Sequence, residues 1–215
     1  MARFESEQRA EILEAALNLF AQKGWKGATT RMLGREAGVN SALLYYYFEN
    51  KHTLFEACIR HVLEGFLAHL SRRLTKFASA RERVRFLVEG AFDYFTAHPN
   101  RMQLIFLAIN MHEQLFASAL NSFLQDHVLV PLNVLIEGMK NGDLRRMNPI
   151  QTWWCVLGMC MLSLHMHKVM RHIDRRLAPV PLPSLEETKK QIADILESGV
   201  ALSGSRVPGI RRKQK

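Results

Sequence analysis

The segment from Ala28 to Lys51 constrains the fold of this chain more than any other stretch. Thr29 or Thr30 suits the N-cap of a short helix, because a hydroxyl there accepts an otherwise orphaned amide N–H. That helix ends near Ala37, where Gly38 supplies the positive φ of a tight turn. Asn40 can then cap a second short helix running to Phe48. Two brief helices joined by so short a turn must cross steeply, which demands a small residue at their contact, and Gly34 stands there. Leu33, Ala37, Val39, Leu44 and Phe48 supply the shared core. Turn, caps, contact glycine and apolar positions together make a helix-turn-helix.

The second of these helices has an outer face with its own chemistry. At ~100° per residue, placing Leu44 inward puts Phe48 and Tyr47 on the buried side. Ala42, Tyr45, Tyr46 and Glu49 then face outward. Packing accounts for one exposed tyrosine on so short a helix, but not for an adjacent pair. Tyrosine hydroxyls hydrogen-bond to phosphates and their rings meet thymine methyl groups, while a small Ala42 permits close approach to a groove floor. Arg31, at the start of the preceding helix, can pair with guanine. The next helix begins near Asn50 and Lys51, where free amides and an ammonium suit a phosphate.

Outside this segment the periodicity is helical throughout. Ile12, Leu13, Ala16, Leu17 and Phe20 form one apolar stripe over 6–23, with Gly24 as a left-handed stop. Helical spacing predicts further helices over 53–74, 81–97, 101–118, 121–140, 151–173 and 185–202. His98-Pro99-Asn100 and the proline-rich run at 179–183 act as breaks, and Gly142 suits a left-handed exit. No alternating β pattern persists, so the expectation is an all-α fold of about nine helices. Residues 6–66 would form an N-terminal three-helix DNA-binding domain and 67–205 a larger helical domain for ligand binding and dimerisation. Residues 206–215 would be a basic, disordered tail.

Composition fits that reading. Of 215 residues 48% are apolar and 23% charged, which is ordinary for a folded domain. The nearly apolar run from Trp153 to Leu164 is too short to cross a bilayer, which needs roughly 20 residues. The acids Glu5 and Glu7 stand where a signal peptide would be apolar, and Cys58, Cys155 and Cys160 lack CxxC spacing. These features predict a cytoplasmic chain with three buried thiols. Lys plus Arg at 29 against Asp plus Glu at 20 gives +9, but Arg206, Arg211, Arg212, Lys213 and Lys215 supply five of that excess. Residues 1–51 hold seven bases against six acids, net +1. A nonspecific, charge-driven nucleic-acid coat is therefore disfavoured.

The first 60 residues resemble the TetR family of bacterial transcriptional regulators. The shared elements are Leu19-Phe20 with Lys23-Gly24-Trp25, then Thr29-Thr30-Arg31 with Ala37-Gly38-Val39. The third block is Leu44 to Phe48 with Asn50-Lys51 and Leu54-Phe55. The resemblance implies a homodimer that binds a pseudo-palindromic operator in double-stranded DNA and is released by a small-molecule effector, most often as a repressor. It places DNA contacts at Thr30, Arg31, Ser41, Ala42, Leu43, Tyr45, Tyr46 and Lys51, with Thr29 and Asn40 as caps beside phosphates. Glu49 puts an acid on the docking face, and Leu43 stands where relatives often carry threonine.

Eight of the ten methionines fall between residues 101 and 170, among aromatic side chains. That region reads either as a core filled by adaptable thioethers or as a pocket for a bulky apolar effector. The candidate lining is Phe92, Met102, Phe106, Met111, Phe116, Trp153 and Trp154; Glu89, Asp93 and Glu113 would suit a cationic ligand instead. Residues 151–173 are apolar almost all round, so pairing them with 185–202 across a two-fold axis predicts a four-helix dimer interface. His165 and His167 project oppositely from a helix, and His165 and His172 stand about 10 Å apart along it, so no metal site is expected. No catalytic motif and no cofactor signature is present. The rival reading is a helical small-molecule-binding protein with a vestigial DNA-binding motif.

Overall fold

The computed structural model describes residues 2–74, 77–173 and 181–200. The basic tail at 206–215 and the first two residues of the proline-rich run, Pro179 and Val180, lie outside the described residues. Ten helices and no strand are found among them: α1 (Ala2–Gly27), α2 (Thr30–Glu36), α3 (Ser41–Tyr47), α4 (Lys51–Leu74) and α5 (Ala80–Ala97). There follow α6 (Pro99–Met111), α7 (Glu113–Asp126), α8 (Val130–Lys140), α9 (Pro149–Met170) and α10 (Leu185–Val200).

Local chemistry explains most of these boundaries. The Thr29 hydroxyl accepts from the Met32 amide at 3.3 Å, and the Asn40 carbonyl oxygen accepts from Leu43 at 2.8 Å. Ser79 and Glu82 form a reciprocal capping box at the head of α5. Gly24 adopts φ +69° as its expected role requires, yet the chain regains helical form and runs one further turn to Gly27. Gly38 and Gly142 also take positive φ, at +66° and +80°.

Two helices expected over 101–118 and 121–140 are in fact three. The first break is at His112 (φ −146°, ψ 48°), and the second falls between Asp126 and Val130, where Pro131 opens α8. Neither break follows a glycine, and His112 carries no side-chain cap, so nothing local announced it. The thiols also divide. Cys58 and Cys160 are buried as expected, but Cys155 is exposed because it lies on the outward face of α9.

One continuous apolar core runs from Ile12 in α1 to Val200 in α10. α4 runs unbroken across position 66, from the helix-turn-helix into the larger bundle, so the two expected domains share a helix. The close crossing of α2 and α3 rests on Gly34. A Cβ there would lie 2.8 Å from the Val39 carbonyl oxygen, a backbone atom that cannot step aside. At an unobstructed helical site Gly→Ala stabilises by up to about 1 kcal/mol. Gly34→Ala should instead destabilise by about 1–3 kcal/mol through overpacking, read as an earlier denaturant midpoint; a later midpoint would refute this crossing.

Candidate nucleic-acid interface and apolar cavity

α3 is anchored by Leu44 and Phe48 and presents its opposite side to solvent. Tyr46 is 73% exposed and Tyr45 is 48% exposed. Tyr47 turns inward, donates to Gln8 Oε1 at 3.1 Å and meets the Tyr46 ring edge-on at 5.2 Å. Arg31, Ser41 and Ala42 are exposed, whereas Thr30 and Leu43 are half-buried. Thr30, Tyr45, Asn50 and Lys51 border one shallow depression over Leu33, Leu44, Phe48 and Leu54. Side chains from the starts of α2 and α4 thus converge beside the exposed face of α3.

Two details at the head of α4 differ from the sequence expectation. The Asn50 side chain itself accepts from the amides of His52 and Thr53, at 2.8 and 3.0 Å, so these N–H groups are not free for a phosphate. The Lys51 ammonium is engaged by α1. It donates to the Trp25 carbonyl at the end of α1 and lies 4.5 Å from the centre of the Trp25 ring. Burial there lowers its pKa below the ordinary lysine value.

Within the larger bundle a cavity of about 780 Å³ opens between α4, α6, α7 and α9, with α5 and the start of α8 completing its wall. Phe106, Phe116, Trp153 and Trp154 line it, as the sequence suggested. Phe92 and Met102 do not: each is 2% exposed and packed into the core elsewhere. Met111 does not either; it ends α6 in solvent, 69% exposed. The main wall missed from sequence is α4, through Val62, Phe66 and Leu70, whose spacing reads as simple core.

Among the described residues every side chain lining the cavity is apolar, and Met161 is the one methionine. Glu89 pairs with Arg85 at 3.0 Å and Asp93 with Lys189 at 3.0 Å, while Glu113 heads α7 at the surface. None of the three borders the cavity. Among the described residues no three His, Cys, Asp or Glu side chains cluster as a metal site would require. No helix of those residues is long and apolar enough to cross a membrane.

α6 joins the cavity to the N-terminal helices. At its start Arg101 donates to Glu14 of α1 and, at 2.9 Å, to the Tyr94 hydroxyl, which donates to the Val62 carbonyl at 3.1 Å. Burial alone would raise the Glu14 pKa, but hydrogen bonds and charge from His61 and Arg101 hold it below the usual carboxylate value. At the far end of α6 the His112 ring lies 5.0 Å from Trp25 and 5.6 Å from Phe55. Elsewhere α9 buries Trp153, Val156, Cys160 and Leu164, but leaves Trp154 (67%), Leu162, Met166 and Val169 exposed, and α10 exposes Ile195 (60%).

Residues 12–58 match the family described as bacterial regulatory proteins, tetR family. The transcriptional regulator BetI of Proteus mirabilis is 28% identical over 113 residues, which are 51% of this chain and 56% of that protein. The chain spans about half the length of this curated relative. The fold of the whole is similar to Bacillus subtilis FadR, whose structure was solved with stearoyl-CoA: TM-score 0.70, 17% identity, 88% of this chain and 98% of that one. It is also similar to AibR, solved with isovaleryl coenzyme A and operator DNA: TM-score 0.65, 17% identity, 89% and 99%. The helix-turn-helix segment is thus similar in sequence to the tetR family of bacterial regulatory proteins, and the whole chain is similar in fold to FadR and AibR.

Proposed function

We propose that this chain is a sequence-specific DNA-binding transcriptional regulator, a cytoplasmic repressor rather than an enzyme. It binds a pseudo-palindromic operator as a homodimer and is released by a small, apolar effector. The exposed Tyr45–Tyr46 pair carries this reading, because a folded monomer gains nothing by presenting two adjacent aromatic rings to water on so short a helix. Thr29, Thr30, Arg31, Asn40, Ser41, Ala42, Leu43 and Lys51 are the proposed companions of that pair on the DNA. The self-association surface is the outward apolar stripe of α9 together with α10.

The cavity supports an effector with a hydrocarbon body. Its volume lies within the range that encloses drug-sized ligands. A ligand with several buried polar groups would leave them without partners, at roughly 1–3 kcal/mol each. Polar groups therefore stay at the mouth. Acyl thioesters of coenzyme A fit this division, and the complexes of FadR and AibR support that class. The cationic effector that Glu89, Asp93 and Glu113 suggested is disfavoured by their absence from the wall.

Stearoyl-CoA titrated into the protein–operator complex should displace the DNA and raise the melting temperature of the free protein. Gly158→Leu, which adds bulk at a cavity-lining position facing open space, should abolish both effects and leave DNA binding intact. An operator complex indifferent to acyl-CoA of every chain length would overturn the effector assignment.

A further inference from the structure

A single copy of the chain does not close its own cavity. The floor is buried, from Val62 and Leu70 of α4 to Phe123 of α7. Ile109, Leu124, Ile150, Trp154 and Leu162 also line it, yet they are 41–67% exposed. Ile150, Trp154 and Leu162 follow one another at helical spacing along one side of α9, about 18 Å from end to end, while Ile109 and Leu124 bound the opening from α6 and α7. The opening is therefore a slot running alongside α9 rather than a hole at one end. A hydrocarbon chain lying in such a slot keeps one side in water, and surface left wet adds nothing to its affinity.

The α9 edge of this slot is also part of the exposed apolar stripe. Trp154 and Leu162 belong to both; Met166 and Val169 carry the stripe one to two turns beyond the cavity, which they do not line. Between Met147 and His167 the chain holds no lysine, arginine or carboxylate, so two copies of this face can meet without desolvating a formal charge. α10, held to α9 by the His167–Thr188 hydrogen bond at 2.9 Å, exposes the further apolar side chain Ile195.

We infer that the hydrocarbon site is incomplete in one subunit and that the α9 of a second copy supplies its missing wall. The inference rests on the proposed self-association through α9 and α10. A two-fold axis crossing α9 near Leu162 sets the two copies antiparallel. The Met166–Val169 end of each then lies over the Trp154 end of its partner's slot. The α6–α7 side of the slot stays open for a polar head. The covered chain touches both subunits, so binding of the hydrocarbon and pairing of the subunits strengthen one another.

The probes are stearoyl-CoA and Nile red, a neutral dye that fluoresces in apolar surroundings. Met166→Arg combined with Ile195→Arg leaves every cavity-lining residue in place and removes only the partner. This monomer should bind both probes at least 10-fold more weakly than the wild-type dimer, the factor that roughly 60 Å² of uncovered apolar surface implies. The new arginines attract the anionic head of stearoyl-CoA, so charge works against that result. By reciprocity, saturating stearoyl-CoA should tighten wild-type dimerisation by about 10²-fold, tenfold from each of two slots, read by sedimentation over a dilution series.

A monomeric double variant that binds the probes as tightly as the wild type, or dimerisation indifferent to them, would overturn the inference and leave each cavity complete in its own subunit. If the double variant fails to fold, the dilution series of the unsubstituted chain decides alone. A wild type monomeric at every concentration, or a double variant still dimeric, would overturn the proposed self-association face and the inference with it. Nile red bound without stearoyl-CoA would overturn the effector class alone, and the dye titrations then decide. A wild-type dimer that binds neither probe would overturn the hydrocarbon site itself.

Discussion

Met166→Arg combined with Ile195→Arg should yield a folded monomer whose operator affinity is lower by about 10²–10⁴-fold, the avidity that disappears when two linked sites become one. Both side chains are exposed in a single copy, so the charges displace no packing within the subunit. Opposite them α9 and α10 bury Trp153, Val156, Leu164, Ile192 and Leu196, which the substitutions leave in place. A stripe running through Trp154, Leu162, Met166 and Val169 is a larger exposed apolar run than a monomer needs. Facing its own copy across a two-fold axis, the same stripe becomes the centre of a helical interface. Sedimentation and duplex binding on one preparation check this. A double variant that remains dimeric, or a monomer with undiminished affinity, would contradict the proposed assembly.

Tyr45→Ala with Tyr46→Ala should reduce operator affinity by 10²-fold or more while the melting temperature stays within a degree or two. Each base or phosphate interaction removed is worth about 1–3 kcal/mol, and a dimer is deprived of the pair twice. Stability is spared because neither ring packs into the core; Tyr46 meets only the edge of Tyr47. Tyr47→Phe is the informative contrast. It removes the hydrogen bond to Gln8, which contributes about 1 kcal/mol to folding, and leaves the outer face unchanged. Operator binding should therefore survive Tyr47→Phe. Weak binding in Tyr47→Phe and full binding in the alanine pair would place the interface elsewhere.

The recognition helices were legible because their determinants are local. Thr29 and Asn40 cap within three residues, Gly38 must take positive φ, and Gly34 answers to a carbonyl five residues away. The inward and outward sides of α3 followed from one helical wheel. The region from 99 to 140 was not legible to the same degree. The break at His112 has no glycine, proline or cap to mark it; it exists because the corner packs on Trp25 and Phe55, more than fifty residues away in sequence. The cavity was half-read for a related reason. An apolar residue lining a void and one filling a core have the same chemistry, so Phe106 and Phe92 looked alike until their neighbours were in place. Methionine content pointed to the right region but the wrong material, since leucine and aromatic side chains make the wall. The orientation of Lys51 depends on a carbonyl at Trp25 and had no signature in its own segment.

The most direct test is selection of bound sequences from a randomised duplex library by the full-length wild-type protein. The proposed function predicts a palindromic winner with half-sites separated by one or more turns of B-DNA. Its affinity should exceed that for random duplex by 10³-fold or more and collapse in the Tyr45→Ala/Tyr46→Ala variant. A library that yields no enriched motif, from protein refolded free of bound small molecules, would contradict operator recognition. It would leave a helical ligand-binding protein with a vestigial recognition motif.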